Sequence, residues 1–66
     1  MSVIKRMELK NGIYEVETIY GTKYILKNIE GGQRYRVFLK STIIGEVVTM
    51  QEVVDLLNDV EKFRSI

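Results

Sequence analysis

The sequence predicts a single α+β domain, an antiparallel β-meander of four to five strands with one C-terminal α-helix packed on its apolar face. Two observations lead to this prediction. Glycine-containing turn signals separate four short runs in which apolar and polar residues alternate, as in half-buried strands. After Thr49 the apolar residues recur at helical spacing instead. The 66 residues contain no proline, no repeat and no linker, so residues 1–66 are assigned to one domain.

Two dipeptides predict the first two hairpins. Asn11-Gly12 separates MELK from IYEVETIY. A type I′ turn is expected there, since both of its central residues need a positive φ. Gly21-Thr22 separates IYEVETIY from KYILKNI. It predicts a two-residue type II′ turn, with glycine in the first central position.

The third turn, at Gly31-Gly32, decides which side of the run QRYRVFLK faces the core. A plain two-residue turn would set Ile25 opposite Phe38 and break the apolar pattern. A three-residue loop at residues 30–32 shifts the pairing by one. This loop is the preferred interpretation, because it places three residues of the run on the apolar face: Tyr35, Val37 and Leu39.

These registers also predict the composition of the opposite face of the sheet. The two-residue second turn sets Val16 opposite Lys27 and Thr18 opposite Ile25, which leaves Lys27 at the rim of the buried side. Four apolar residues then gather toward one end of the uncovered face: Ile19, Tyr24, Leu26 and Phe38. A patch of this kind is typical of a subunit or partner contact.

Residues 41–48, STIIGEVV, are compatible with a short fifth strand in which Gly45 forms a bulge. The sequence leaves open whether this strand forms. From Thr49 onward, Thr49 and Glu52 have the spacing of a capping box at a helix start. One side of the predicted helix is apolar: Met50, Val53, Leu56, Leu57, Val60 and Phe63.

In layout, five short bent strands followed by a helix resemble the small SH3-like barrels, and three main strands with a helix resemble chromodomains. The resemblance would imply a small barrel. The chain has no tryptophan for the aromatic cage of a chromodomain, and its net charge of +1 is far below that of the basic barrel proteins of archaeal chromatin. No family is assigned on this basis.

The composition argues against catalysis. The chain has neither cysteine nor histidine, so disulfides, zinc sites of the usual kinds and the common nucleophile–base pairs are excluded. Glu8, Glu15 and Glu17 share a predicted sheet face and could hold a hard cation. A solvated face with cross-strand ion pairs is the preferred interpretation. The sequence therefore predicts a protein that is not an enzyme, without catalytic residues, cofactor or metal.

No apolar run is long enough for a secretory signal or a membrane span, so a cytoplasmic location without a membrane partner is expected. The charge is uneven along the chain, with +4 over residues 1–45 and −3 over residues 46–66. Such an asymmetry fits either a nucleic-acid-binding face or complementary self-association.

Two functions follow as expectations. The first is a non-catalytic protein-interaction module, forming a homodimer or binding a protein partner through the patch of Ile19, Tyr24, Leu26 and Phe38. The alternative is a nucleic-acid-binding domain that uses basic residues of the sheet: Arg6, Arg34, Arg36 and Lys40.

Overall fold

A computed structural model describes residues 3–29 and 31–64. Five antiparallel strands form one sheet in the order β1-β2-β3-β4-β5, followed by one helix. The elements are β1 (Ile4–Lys10), β2 (Ile13–Thr18), β3 (Lys23–Asn28), β4 (Tyr35–Leu39), β5 (Thr42–Val47) and α1 (Met50–Arg64). The predicted meander with a C-terminal helix is confirmed, and the fifth strand forms. The sheet is open, with β1 and β5 at its two edges, so the barrel suggested by the SH3-like layout is not formed by the described residues.

The first hairpin has the predicted register. Leu9 pairs with Tyr14 and Met7 pairs with Val16. Asn11 and Gly12 have φ values of 52° and 76°, the left-handed conformation that a type I′ turn requires. The register and the turn that the local sequence predicts are therefore confirmed for this hairpin.

The second hairpin contradicts the predicted register. Val16 pairs with Tyr24 instead of Lys27, a shift of three residues along β3, because the chain turns at residues 19–21 and not at Gly21-Thr22. The Thr18 amide donates to the Thr22 carbonyl at 2.9 Å, which closes a three-residue loop that ends on Gly21 at φ 83°. The Thr18 hydroxyl oxygen also accepts hydrogen bonds from the amides of Tyr20 and Thr22. A threonine that bonds to the backbone of its own turn favours this three-residue loop.

This shift reverses the two faces of β3, because side chains alternate along a strand. Tyr24 and Leu26 point toward the helix, with exposures of 0% and 3%. Lys27 lies on the other side and is exposed. The predicted place of Lys27 at the rim of the buried side is therefore wrong.

The third hairpin also departs from the predicted register by one residue. Ile25 pairs with Phe38 and Leu26 with Val37, which is the pairing of the plain turn. The Ile29 amide donates to the Arg34 carbonyl at the end of the ladder. The second register differs from the prediction by three residues and the third by one. Each shift by an odd number of residues exchanges the two faces of a strand, so the two shifts together leave the faces of β4 as predicted. Val37 is fully buried, with Tyr35 and Leu39 packed against the core, so the predicted inner side of β4 is confirmed.

A β-bulge and a glycine fit β5 to the helix. Val37 pairs with Gly45 and Phe38 with Ile43, which leaves Ile44 as the extra residue. A Cβ at position 45 would lie 3.0 Å from Leu56 Cδ2, so Gly45 lets the helix approach the strand closely. The predicted bulge is present in this segment, next to Gly45.

The helix begins as predicted. The Glu52 amide donates to the Thr49 hydroxyl at 3.2 Å, and the Glu52 carboxylate accepts from the amides of Thr49 and Val48 at 3.0 and 2.8 Å. This is a complete capping box, which satisfies amides that have no partner within the helix. These backbone hydrogen bonds hold the pKa of the Glu52 carboxyl below its ordinary value.

The core lies between the helix and the inner face of the sheet. Val53 and Leu57 are buried, as is Glu61 one turn further along, so the buried stripe follows an i, i+4, i+8 spacing. Met50 and Phe63, predicted as members of the apolar helix face, are exposed instead. Phe63 is two residues beyond Glu61, about 200° around the helix, and so points away from the sheet.

The capping box predicts a pH dependence. Because Glu52 has a lowered pKa when folded, its carboxylate stabilises the fold fully above its unfolded pKa, and this contribution is lost as the pH falls from about 4.3 through the folded pKa. Glu52→Gln should therefore melt at a lower temperature than the unaltered protein at pH 7. The difference should shrink as the pH falls from about 4.3 through the folded pKa of Glu52. A difference that stays constant over this range would contradict the role given to the carboxylate.

Candidate functional site

The outer face of the sheet, which is the side opposite to the helix, carries most of the charged residues of the strands. The strand registers arrange its side chains in three rows across the sheet. Each row is read from β1 toward β5 and named after its first residue. The Lys10 row is Lys10, Ile13, Lys27, Arg36 and Glu46. The Glu8 row is Glu8, Glu15, Ile25, Phe38 and Ile43, and the Arg6 row is Arg6, Glu17 and Lys23. Lys40 adjoins the end of the Arg6 row, because it lines a shallow cavity together with Lys23 and Tyr20.

Apolar side chains occupy the centre of this face. We call the four residues Ile13, Ile25, Phe38 and Ile43 the outer apolar cluster. Ile25 pairs directly with Phe38, and Phe38 pairs with Ile43. Ile43 is exposed, while the other three are half-buried. The Lys27 ammonium lies 5.2 Å from the centre of the Phe38 ring, a cation–π contact that holds one positive charge over the cluster.

The predicted patch of Ile19, Tyr24, Leu26 and Phe38 is not formed. Tyr24 and Leu26 belong to the core because the register of the second hairpin turns them toward the helix. Ile19 lies exposed in the loop between β2 and β3. Phe38 alone of the four lies on the outer face. The sequence analysis missed Ile13, Ile25 and Ile43. Ile13 precedes Tyr14 and Ile25 precedes Leu26, and neighbouring residues of a strand point to opposite faces. This alternation places Ile13 and Ile25 on the outer face once the register of the second hairpin is known.

The predicted arginines lie on the outer face and are engaged in ion pairs. Arg36 contacts the Glu46 carboxylate at 3.2 Å, and Arg34 contacts the same carboxylate at 3.8 Å. Arg6 lies 3.6 Å from Glu8. Lys40, in the turn between β4 and β5, has a φ of 57°. The structure thus brings Arg34 and Arg36 together around Glu46 and keeps Arg6 on the opposite edge strand.

The three glutamates that the sequence analysis weighed as a cation site line a concave part of the outer face of about 120 Å³. Lys10 contacts both Glu8 and Glu15, at 3.4 and 4.0 Å, and Arg6 contacts Glu8 as described above. The side chains of Lys10 and Arg6 therefore occupy the space beside the carboxylates, where a metal ion would have to bind. Within residues 3–29 and 31–64, no group of three or more acidic, histidine or cysteine side chains has the arrangement of a metal site.

On the inner face, a groove of about 150 Å³ opens between the sheet and the first turn of the helix. Its lining is mainly apolar: Met7, Tyr14, Leu26, Tyr35, Val47, Val48, Thr49, Met50 and Val53. The rings of Tyr14 and Tyr35 meet edge to face, with centroids 5.8 Å apart. This groove is continuous with the core and carries no charged side chain.

A buried polar cluster joins the far end of the helix to the sheet. The Glu61 carboxylate accepts hydrogen bonds from the Tyr24 hydroxyl at 2.9 Å and from the Thr18 hydroxyl at 3.2 Å. Because Thr18 also organises the loop after β2, the cluster links helix position to loop conformation. Within residues 3–29 and 31–64, every buried side-chain nitrogen or oxygen atom has a hydrogen-bond partner. The cluster therefore leaves no unpaired buried polar atom and ties the helix to β2 and β3.

None of the helices that the structure describes has the length and apolar character needed to cross a bilayer. The cytoplasmic location expected from the sequence stays a prediction. Comparison with known proteins adds no assignment: no protein family matches the chain, and neither a curated protein nor a solved structure shows significant similarity to it. Any function must therefore be argued from the outer face itself.

Proposed function

We propose that the protein is a non-catalytic interaction module that self-associates through the outer face of its sheet. The observation that carries this proposal is the outer apolar cluster. An antiparallel sheet with one face on the core usually presents polar side chains on the other face. Here the middle of the second face is apolar, and no described element covers it.

The distribution of side chains supports a protein contact. A protein interface commonly has an apolar centre that includes an aromatic residue, and a polar rim around it. Phe38 lies near the centre of the outer face, between Ile25 and Ile43. Charged residues surround it on both sides along the strands, among them Lys27 and Arg36.

The size of the face sets the expected strength of association. Five strands spaced about 4.8 Å apart, each about six residues long, give a face of roughly 20 Å by 20 Å. This is smaller than the roughly 800 Å² per partner of a standard stable interface. We therefore expect weak association, with a dissociation constant on the order of micromolar.

Binding of nucleic acid is the alternative, and the ion pairs weigh against it. Glu46 partly neutralises Arg34 and Arg36, and Glu8 partly neutralises Arg6. Four carboxylates on the same face would repel phosphates. A labelled single-stranded oligonucleotide tests this alternative by fluorescence anisotropy. Affinity that falls steeply with rising salt would support phosphate binding instead of a protein contact.

The chain offers a matched pair of variants for testing self-association, since it contains two phenylalanines. Phe38→Ala removes the aromatic residue of the outer apolar cluster and should weaken the dimer by about tenfold or more. Phe63→Ala, at an exposed helix position, should leave association unchanged. Sedimentation velocity from low to high micromolar concentration measures both. The melting temperature of the unaltered protein should also rise with concentration, because association stabilises the folded state. Monomer throughout this range would remove the proposal.

A further inference from the structure

A shallow cavity lies at the end of the sheet where β3 begins and β4 ends. Its volume is about 450 Å³, which is within the range of small-molecule sites. The residues that line it belong to the loop after β2, the start of β3 and the end of β4 with its turn: Tyr20, Gly21, Thr22, Lys23, Leu39 and Lys40. Two of these residues are basic and none is acidic. The lining of the cavity is therefore positively charged.

Lys23 and Lys40 bring their two positive charges to the same level of the sheet. Ile25 pairs with Phe38, so two residues further along this ladder Lys23 lies level with Lys40. Like charges in such cross-strand positions repel each other. In the part of the chain that the structure describes, neither lysine takes part in an ion pair. A bound anion would relieve the repulsion by contacting both ammonium groups.

The carboxylates of the outer face do not neutralise this pair of lysines. Glu8, Glu15 and Glu46 form ion pairs with other cations, as described above. Glu17 is the neighbour of Lys23 on β2, but it lines the adjoining concave part of the outer face and not this cavity. The two lysines against this one glutamate leave a positive charge at the cavity.

Tyr20 places an exposed aromatic ring beside the lysines. Its side chain is 68% exposed although it lines the cavity. Two hydrogen bonds hold the loop that carries it. The Tyr20 amide donates to the Thr18 hydroxyl at 3.3 Å, and the Gly21 amide donates to the Thr18 carbonyl at 3.0 Å. The backbone of Tyr20 is therefore in place before a ligand binds, and planar rings such as those of bases stack on exposed aromatic side chains.

We propose that this cavity binds a small molecule that carries a phosphate group beside a planar ring, which is the chemistry of a nucleoside monophosphate. The phosphate contacts Lys23 and Lys40, and the ring stacks on Tyr20. Lysine is a common phosphate ligand, and a phosphate monoester carries a charge of about −1.5 to −2 at pH 7. The inference goes beyond the self-association proposed above and does not depend on it, because no residue of the outer apolar cluster lines the cavity.

Titration of the isotope-labelled protein with adenosine monophosphate, followed by amide chemical shifts in NMR spectra, measures the binding. The largest shifts should occur at residues 20–23 and 39–40. Because the cavity is shallow, the dissociation constant should be on the order of millimolar. Inorganic phosphate lacks the ring and adenosine lacks the phosphate, so each should bind about tenfold more weakly. High salt should weaken the binding of adenosine monophosphate, because ions screen exposed charges.

Three variants test the charges around the cavity. Lys40→Asn removes one of the two ammonium groups and should weaken binding by about tenfold. Asparagine tolerates the φ of 57° at this position. Glu17→Gln removes the neighbouring carboxylate and should tighten binding by about twofold to threefold. Lys10→Gln changes the net charge as Lys40→Asn does, but lies at the opposite end of the outer face, and should leave binding unchanged.

A fourth variant tests the ring. Tyr20→Ala should weaken the binding of adenosine monophosphate by about tenfold and leave the affinity for inorganic phosphate unchanged. For every variant, unchanged amide shifts of the helix show that the fold is intact.

Four results would overturn the site. The first is the absence of shifts at millimolar adenosine monophosphate. The second is equal weakening by Lys10→Gln and Lys40→Asn, since net charge alone would then explain the binding. The third is equal affinity for inorganic phosphate and adenosine monophosphate, which would remove the contact with Tyr20. The fourth is a single-stranded oligonucleotide that binds far more tightly and shifts amides across the whole outer face, since the ligand would then be a nucleic acid. Sedimentation measures self-association separately, so its failure is distinguishable from failure of the site.

Discussion

Replacing Leu57 with alanine should remove most of the stability of this domain. Leu57 is fully buried in the middle of the helix stripe that packs on the sheet. Truncating a buried leucine costs about 2 to 5 kcal/mol, through lost burial and the cavity left behind. A chain of 66 residues has a total stability of roughly 3 to 10 kcal/mol. The variant should therefore be partly or fully unfolded at 37 °C.

Urea denaturation followed by circular dichroism measures this loss, at equal protein concentration because self-association would add stability. Leu9→Ala makes the same chemical change where the leucine is 61% exposed, and should cost little. A Leu57→Ala variant as stable as Leu9→Ala would show that the helix does not pack on the sheet through this residue.

Replacing Thr18 with valine should cost about 3 kcal/mol, although valine has nearly the same shape. The Thr18 hydroxyl accepts from two loop amides, at 3.3 and 3.2 Å, and donates to Glu61 at 3.2 Å. Each hydrogen bond contributes about 1 kcal/mol net, and a buried carboxylate that loses a donor adds to the cost. The loss of all three hydrogen bonds is a large fraction of the free energy of unfolding of so small a domain.

Two controls separate the hydroxyl from the shape of the side chain in urea denaturation. Thr18→Ser keeps the hydroxyl and should retain more stability than Thr18→Val. Thr42→Val makes the same change at an exposed position of β5 and should be close to neutral. If Thr18→Val lost less than about 1 kcal/mol, the loop and the Glu61 contact would contribute far less than their geometry implies.

Local signals predicted the elements of the fold well. The Asn11-Gly12 turn has its expected register because two residues with positive φ determine it locally. The capping box of Thr49 and Glu52 also forms within one turn of chain. Such features were readable because every group involved lies within a few residues of the others.

The outer apolar cluster was not readable in the same way. It depends on which face of β3 points outward, and therefore on the length of the loop after Thr18. Glycine at position 21 is compatible with a two-residue or a three-residue loop. The choice between them involves a hydrogen bond from Thr18 to Glu61, which lies 43 residues away. A prediction from turn residues alone could not include that contact.

The sequence by itself determined the positions of the strands and the helix and the turn at Asn11-Gly12. The tertiary structure alone decided that Tyr24 and Leu26 belong to the core and that Ile25 and Lys27 lie outside. The reason is that a strand has two faces and a loop one residue longer or shorter exchanges them. In the observed structure β3 turns Tyr24 toward the helix, where the side chain is buried and its hydroxyl donates to Glu61.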